Sequence, residues 1–224
     1  MPEMNNSLPT IAILGGTGKE GPGLALRWAY AGYKIIIGSR QVEKAVTTAT
    51  ALNSKLGIDS VTGMENGQAA RTADICVLTV IHTAHEAVID SLFEDLQGKI
   101  LVDATARIDF QDPRPPAQPA AARMAQDKLG VGVRVVAAFQ NTPAHILKKN
   151  IGEMLDTDVL VCADDLQAAE EIIHLAKMGG MRAYYAGGLD NAGVVEGLTS
   201  ILISINKHYG TKTASIAITG VPFP

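Results

Sequence analysis

An apolar run that ends in closely spaced glycines is the sequence feature that most constrains the fold. Residues 11–14 read Ile-Ala-Ile-Leu, and Gly16, Gly18 and Gly21 follow in the spacing G-x-G-x-x-G. In this spacing the first glycine allows a tight turn, the second lets backbone N–H groups approach a pyrophosphate, and the third lets helix and strand pack closely. The following helix directs the positive end of its dipole at the phosphates. The motif therefore predicts a strand, a dinucleotide-binding turn and a helix.

Strand-like and helix-like segments alternate after this motif. Predicted strands cover residues 11–14, 34–38, 59–63, 74–80, 99–104, 133–139, 158–163 and 181–186. Predicted helices cover residues 21–31, 41–56, 66–73, 82–96, 166–177 and 191–208. This alternation indicates an α/β fold, a Rossmann-type doubly wound and mostly parallel sheet with a small C-terminal α/β extension. We expect residues 1–150 to form a dinucleotide-binding domain and residues 151–224 a smaller domain.

Composition narrows the function classes. The 224 residues are 47% hydrophobic and 4% aromatic, which fits buried parallel strands covered by helices. A net charge of −4 argues against nucleic-acid binding, and no apolar run is long enough to span a bilayer. The N-terminus lacks the pattern of a secretory signal, so we expect a cytoplasmic protein. Cys76 and Cys162 lie in apolar runs and are expected to be buried free thiols.

The end of the second predicted strand distinguishes NADP from NAD. An NAD site places an acidic residue there to hold the ribose hydroxyls. This chain has Ser39 and Arg40 instead, with Lys44 one helical turn further on. A hydroxyl, a guanidinium and an ammonium suit a 2′-phosphate, whereas cations at a helix N-terminus oppose the dipole and need another reason to be there. The sequence therefore favours NADP(H).

Prolines interrupt the alternation between residues 103 and 119. Pro113, Pro115, Pro116 and Pro119 exclude a helix interior and predict a loop at the carboxyl end of a strand. Ligands bind at that edge of open α/β sheets, so the loop is either a wall of a binding site or a solvated connector. Both interpretations stay open at this level.

Motifs along nearly the whole chain resemble those of the F420-dependent NADP reductases. They are LGGTG at residues 14–18, Gly21, GLALR at 23–27, GSR at 38–40, Lys44, VTGM at 61–64, DICVLT at 74–79, TPA at 142–144, CADD at 162–165 and VEGLTSIL at 195–202. The resemblance implies hydride transfer between NADP(H) and coenzyme F420, a deazaflavin that acts as co-substrate. It also implies a homodimer, in which residues 1–150 form the NADP-binding domain and the smaller domain of residues 151–224 covers the cleft and forms a dimer contact.

The resemblance assigns roles to residues by position. For the nucleotide it implies Gly16, Thr17, Gly18, Lys19, Glu20, Gly21, Ser39, Arg40, Lys44, Thr79, Val80, His82, Asn141 and Ala144. For the second substrate we expect Thr105, Gln140, Asn141, Thr142 and Pro143. The chain departs from the family pattern at Gln140 and at residues 103–108, which border the second substrate. An NADPH-dependent reductase of another acceptor, such as a flavin, carbonyl or imine, and a non-catalytic NADP(H) sensor therefore stay as alternatives.

No catalytic acid, base or nucleophile is predicted, because the two cofactor rings carry the reactive atoms and the protein supplies orientation. A donor such as Asn141 or Thr142 is expected to steady charge on the acceptor ring. His82 and His85 are expected to form a pair at the cleft rim rather than a metal site, since no further ligands complete one.

Two acidic features are also open to interpretation. Asp164 and Asp165 stand at a strand-to-helix junction, where helix capping is the ordinary role. Glu196 lies inside an apolar helical pattern. It is either a hydrogen-bonded core carboxylate or part of a subunit contact.

Overall fold

A computed structural model describes residues 8–222 and shows one sheet with helices on both faces. The strands are β1 (Ile11–Leu14), β2 (Ile35–Ser39), β3 (Val61–Glu65), β4 (Ile75–Leu78), β5 (Ile100–Asp103), β6 (Arg134–Ala137), β7 (Asp158–Ala163) and β8 (Arg182–Tyr185). The helices are α1 (Gly21–Tyr30), α2 (Val42–Leu56), α3 (Asn66–Thr72), α4 (His82–Ser91), α5 (Ala121–Leu129), α6 (Leu166–Met178) and α7 (Ala192–Tyr209).

The sheet has the strand order β3-β2-β1-β4-β5-β6-β7-β8. Strands β1 to β6 are parallel to their neighbours, while β7 runs antiparallel to β6 and β8 is parallel to β7. The predicted α/β fold with a mostly parallel, doubly wound sheet is therefore confirmed. The elements after residue 150 continue this sheet. The chain reverses its direction of growth between β1 and β4, which is where open α/β sheets bind ligands.

The central strands are apolar because helices cover both of their faces. All residues of β1, β4 and β5 are buried, and two separate clusters of aliphatic side chains lie on opposite faces of the sheet. In the first cluster the Trp28 ring meets the Phe139 ring edge to face, with centroids 5.7 Å apart. This contact joins α1 to the chain that follows β6.

Two helices differ from the sequence prediction. α4 ends at Ser91, not at residue 96, and a series of turns carries the chain on to Gly98, where φ is +79°. Leu92 and Leu96 are nevertheless both buried, so the apolar spacing that suggested helix is used by the turns. α5 was not predicted, although the alanine-rich stretch that follows the prolines has a high helix propensity.

Residues 104–120, the connecting segment, contain no helix or strand. This confirms the predicted loop between β5 and the next element. The segment leaves the carboxyl end of β5 and returns to the first turn of α5.

α1 is anchored at its far end by a buried arginine. The Arg27 guanidinium donates hydrogen bonds to the carbonyl oxygens of Leu147, Lys149, Glu153 and Gly179 over 2.6–3.1 Å. Burial lowers the pKa of Arg27 from its ordinary value. These bonds fix α1 to the loop between β6 and β7 and to the end of α6.

Candidate active site

The glycine turn after β1 is built for close backbone approach. A Cβ on Gly16 would lie 2.5 Å from the Ile13 carbonyl oxygen, and one on Gly21 would lie 2.7 Å from the Cα of Gly16. A Cβ on Gly18 would meet nothing closer than 3.8 Å. The protein itself therefore requires glycine at the first and third positions, whereas the space beside Gly18 is open for a ligand, as a pyrophosphate site demands.

The N-terminus of α1 faces the same turn. Glu20 occupies the N-cap position, makes no side-chain cap, and is followed by Pro22 in the first turn. The first N–H groups of a helix lack intrahelical partners and favour an anion. An uncapped N-terminus beside an open glycine is a fitting place for phosphate oxygens.

Glu20 itself is unusual at such a position. Its Oε1 is sealed from solvent and has no hydrogen-bond partner among the described residues. Burial raises the pKa of this carboxyl to about 8. Glu20 is therefore mostly neutral at pH 7, so a carboxyl group at this point repels phosphate little.

The end of β2 lies directly beside the glycine turn. The Gly16 N–H donates to the Gly38 carbonyl oxygen over 2.9 Å, and Ser39 is buried with its hydroxyl accepting from the Gln41 N–H over 3.1 Å. Asn66, at the start of α3, accepts from the Gly15 N–H over 3.1 Å. These bonds bring the predicted 2′-phosphate residues next to the predicted pyrophosphate turn.

Cations surround this region without acidic partners. Lys19, Arg40 and Lys44 are exposed, and none of them joins an ion pair within residues 8–222. Thr17, Glu43 and Lys44 line one shallow cavity of about 270 Å³ between the turn and α2, where Glu43 is the one acidic residue of the lining. The charge and the cavity suit an anionic group on the adenosine ribose.

One carboxylate near these cations was missed by the sequence analysis. Glu65 is the register partner of Ser39 on β3. Its Oε2 accepts from the N–H groups of Gly67 and Gln68 over 2.6 and 3.3 Å, so its charge caps α3. A capping carboxylate is compensated by the helix dipole and competes little for the cations.

The carboxyl end of β4 closes the other side of the glycine turn. Thr79 donates from its N–H and its hydroxyl to the Leu14 carbonyl oxygen over 3.0 and 3.3 Å. A Cβ on Gly15 would lie only 2.6 Å from Cγ1 of Val80, so Val80 leaves no room for a side chain there. His82 is exposed at the first position of α4, whose N-cap makes no side-chain hydrogen bond. Thr79 and Val80 thus contact the turn, and His82 follows them at the opening.

The expected rim pair of histidines is wrong for His85. This side chain is buried, and its Nε2 lies 2.6 Å from Oδ2 of Asp103 at the end of β5. Burial opposes the charged imidazole, but the hydrogen bond and the charges of Asp103 and Glu196 outweigh it and raise the pKa of His85. Helical spacing alone could not reveal this, because the partner is on another element.

The ends of β5 and β6 present unpaired polar atoms. Asp103 accepts at Oδ1 from the Thr105 N–H over 3.0 Å, and its carbonyl oxygen accepts from Gln140 Nε2 over 2.8 Å. The remaining side-chain oxygens of Thr105, Gln140 and Thr142 are buried without a partner among the described residues. A buried polar atom is costly to leave unpaired, so a polar ligand that moves these side chains and pairs with the three oxygens would recover that cost.

Asn141 and Thr142 are adjacent but oriented differently. Asn141 donates to the Asp158 carbonyl oxygen over 2.7 Å, which ties the turn to β7. Phe139, just before them, has φ +75°, a conformation that residues other than glycine seldom adopt. The bend ends with the Thr142 N–H donating to the Phe139 carbonyl oxygen over 2.9 Å. Pro143 and Ala144 follow, both partly exposed.

The remaining predictions concern capping, thiols and Glu196. Asp165 caps α6 by accepting from the Ala168 N–H over 2.9 Å, as expected, whereas Asp164 does not cap this helix and instead accepts from Arg123 and from the Leu189 N–H. Cys76 and Cys162 are buried free thiols, also as expected. Glu196 is a core carboxylate that accepts two backbone N–H groups, which decides between the two interpretations of that residue.

Within residues 8–222, no group of three or more His, Cys, Asp or Glu side chains is arranged to hold a metal ion. No helix in the same range combines the length and the apolarity needed to cross a membrane.

Comparisons with known proteins agree with this geometry. Residues 10–107 match the family described as NADP oxidoreductase, coenzyme F420-dependent. The F420-dependent NADP reductase of Methanothermobacter thermautotrophicus is 40% identical over 222 residues, 95% of each chain. That of Methanocaldococcus jannaschii is 37% identical over 227 residues, covering 94% of this chain and 98% of the relative.

A solved structure supports the fold. The putative F420-dependent NADP reductase from an Arthrobacter species has a TM-score of 0.76 at 24% identity, covering 94% of this chain and all of that one. A hypothetical protein from Sinorhizobium meliloti has a TM-score of 0.66 at 26% identity, covering 84% of this chain and 90% of that one.

Proposed function

The chain belongs to the family of F420-dependent NADP reductases, and we propose that it carries out the reaction of that family, hydride transfer between NADP(H) and coenzyme F420. It is an NADP-dependent oxidoreductase. The observation that carries the proposal is a relationship of 37–40% identity over nearly the full length of both chains, joined to an open glycine turn with unpaired cations beside it.

The nucleotide half is supported by the donors around the glycine turn. Thr17, Gly18 and Lys19 lie at the uncapped end of α1, where N–H groups suit the pyrophosphate. Ser39, Arg40 and Lys44 offer a hydroxyl and two cations for the 2′-phosphate. Thr79, Val80 and His82 continue along the edge of the sheet toward the nicotinamide.

The acceptor half is supported by the three unpaired oxygens. Thr105, Gln140 and Thr142 offer two hydroxyls and one amide carbonyl. A deazaflavin ring system carries both donors and acceptors on its edge, so these groups fit it chemically. Asn141 has a more structural place, because its amide is already bonded to β7.

When bound, NADP(H) and coenzyme F420 would supply the reacting atoms for a hydride transfer. The chain's own part is orientation. Holding two reactants in a productive arrangement can lower the barrier by about 7–11 kcal/mol in favourable models. We therefore assign no acid, base or nucleophile to the protein.

A spectroscopic assay tests the proposal. Purified protein is mixed with NADPH and oxidised coenzyme F420, and the loss of the deazaflavin absorbance is followed, with NADH in parallel. We expect fast bleaching with NADPH and slow bleaching with NADH. Bleaching of a flavin, or oxidation of NADPH by a carbonyl or imine, without bleaching of F420 would identify another acceptor. Tight NADPH binding without any turnover would identify a sensor.

We also propose a homodimer formed through α7. Val194, Ile201, Ile205 and Tyr209 are exposed on this helix, at spacings that place them along one face. A single apolar helix face is complementary to itself across a two-fold axis. Ile201→Lys is expected to convert a dimer into a monomer in light scattering, and Lys212→Glu, on the exposed chain after α7, serves as the control. A wild-type protein that is monomeric would contradict this arrangement.

We propose that residues 1–150 bind the nucleotide and that residues 151–224 cover the cleft. The side-chain contacts of α7 with the connecting segment support the covering role.

A cytoplasmic location is supported by the two free thiols, since cysteines stay unpaired in reducing compartments.

A further inference from the structure

The connecting segment needs an external support. It contains no helix or strand, and its second residue is Thr105, one of the acceptor-site residues proposed above. Arg107 makes local bonds, donating from Nη1 to the carbonyl oxygens of Ala117 and Pro119 over 3.2 and 2.5 Å. These close the segment on itself but do not fix it to the rest of the molecule.

Side chains on one face of α7 supply that support. Ser200 donates to the Arg114 carbonyl oxygen over 2.8 Å, and Lys207 donates to the Gln111 carbonyl oxygen over 2.6 Å. Glu196 lies one turn before Ser200 on the same face. The three side chains contact the segment from its beginning to its end.

Glu196 joins the two ends of the segment. Its Oε2 accepts from the Arg107 N–H over 3.1 Å, and its Oε1 accepts from the Ala121 N–H over 2.7 Å. An ionised carboxylate offers acceptors on both oxygens, whereas a glutamine amide would offer one acceptor and place an N–H₂ against the other donor. The arrangement is therefore specific for a carboxylate.

Burying the charge of Glu196 costs free energy, so packing alone does not explain a carboxylate at this position. Glu196 is fully buried and has no ion-pair partner within residues 8–222. Its charged and titratable neighbours are Asp103 at the end of β5, His85 on α4 and Arg107 in the connecting segment. Burial raises the pKa of Glu196 to about 7, although its two backbone hydrogen bonds act in the opposite direction.

The same helix also holds the opposite wall of the acceptor site. Thr199 donates to the Gln140 carbonyl oxygen over 2.9 Å. α7 thus fixes both Gln140, after β6, and the segment that carries Thr105, after β5. No residue of the glycine turn takes part in these bonds.

We propose that Glu196 is a positioning residue for the acceptor: by holding Arg107 and Ala121 it sets the connecting segment against Gln140 and Thr142. It controls acceptor binding and leaves nucleotide binding unchanged. The inference rests on the proposed function for the identity of the acceptor, but the hold on the segment does not depend on that identity.

The test compares Glu196→Gln with wild type at pH 8, where Glu196 is mostly ionised. We expect the KM for oxidised F420 to rise about tenfold, since one backbone N–H loses its acceptor. The KM for NADPH is expected to stay within about twofold, because the glycine turn is untouched. Ser200→Ala, which loses a single bond to the segment, should give a smaller rise in the same constant. Ser204→Ala is the matched control, because its hydroxyl bonds only to the Ser200 carbonyl oxygen within α7.

Hydrogen exchange supplies a readout that needs no acceptor. Faster exchange at the Arg107 and Ala121 amides in Glu196→Gln, with unchanged exchange in α1 and α2, is the expected result. Equal rises in both KM values, or unchanged exchange at those two amides, would overturn the proposal. If the wild type fails to reduce F420, the exchange and NADPH-binding measurements still decide whether Glu196 holds the segment, so the two failures are distinguishable.

Discussion

Asn141 and Thr142 show how neighbouring residues at one turn acquire different roles. The sequence places both at the carboxyl end of a strand and gives no reason to separate them. In the structure Asn141 is bonded to β7, while the Thr142 hydroxyl has no partner among the described residues. Phe139, just before them, has a left-handed backbone conformation that the residue pattern does not predict.

Thr142→Ala is expected to impair turnover with little loss of stability. The variant removes a hydroxyl that makes no bond within the described chain, so its cost appears in the KM or kcat for the acceptor, about three- to tenfold. Asn141→Ala should instead lower the melting temperature, because it leaves the Asp158 carbonyl oxygen unpaired. Steady-state kinetics and thermal melts of both variants check this. Equal kinetic losses with equal melting temperatures would contradict the distinction.

Arg40 and Lys44 allow a prediction about nucleotide preference. Each substitution to alanine removes a cation that suits the 2′-phosphate, so the KM for NADPH should rise about five- to tenfold while the KM for NADH hardly changes. Lys55→Ala is the control, since this exposed lysine lies at the other end of α2. A parallel rise for NADPH and NADH would show that the two cations do not read the phosphate.

At the scale of elements, the pattern of the chain predicted most of the sheet. Strands such as residues 11–14 and 158–163 are apolar runs bounded by turn residues, and these local signals are sufficient. Contacts between elements carry no such signal. Long-range hydrogen bonds are the example: His85 pairs with Asp103, Asn66 accepts from Gly15, and Glu196 accepts from two backbone N–H groups. The sequence shows the type of each of these residues but does not reveal its partner, because the partner is far away in the chain.

α1 depends on Arg27 in a way that can be measured. Arg27→Met leaves four carbonyl oxygens without their donor, so we expect a loss of about 3 kcal/mol in the free energy of unfolding. Denaturant titration checks this, with Lys34→Met as a control because Lys34 is exposed. A loss no larger than that of the control would mean that water replaces the guanidinium at low cost.

At the scale of the whole molecule, the buried titratable groups make the folded state more stable at acidic pH. Burial raises the pKa of Glu20 to about 8 and that of Glu196 to about 7, both from 4.5, and the pKa of His85 is raised as well. The folded protein therefore binds more protons than the unfolded chain between pH 4.5 and 8. Stability from these groups is largest at the acidic end of that range and is lost as the pH rises.

The free energy of unfolding should consequently fall as the pH rises from 5 to 8. Each carboxyl contributes at most about 1.4 kcal/mol per pH unit between its unfolded and folded pKa values, where only the folded state holds the proton. Glu20→Gln removes one of these contributions and should flatten the profile between about pH 5 and 8, most strongly below pH 7. Urea titrations across the range check this. A profile that is flat, or that rises with pH, would show that these carboxyls are better solvated than their burial indicates.

The strand order separates the proposed nucleotide site from the proposed acceptor site, two sites that protein engineers would want to change independently. The proposed nucleotide contacts follow β1, β2 and β4 and include the start of α2, whereas the proposed acceptor contacts Thr105, Gln140 and Thr142 follow β5 and β6. A mutant library restricted to Thr105, Gln140 and Thr142 would therefore explore new oxidants without altering the choice of NADPH. In the same way, substitutions at Ser39 and Arg40 would change the preference between NADPH and NADH, and with it the cost of the cofactor in a biocatalytic process, while the range of acceptors is kept.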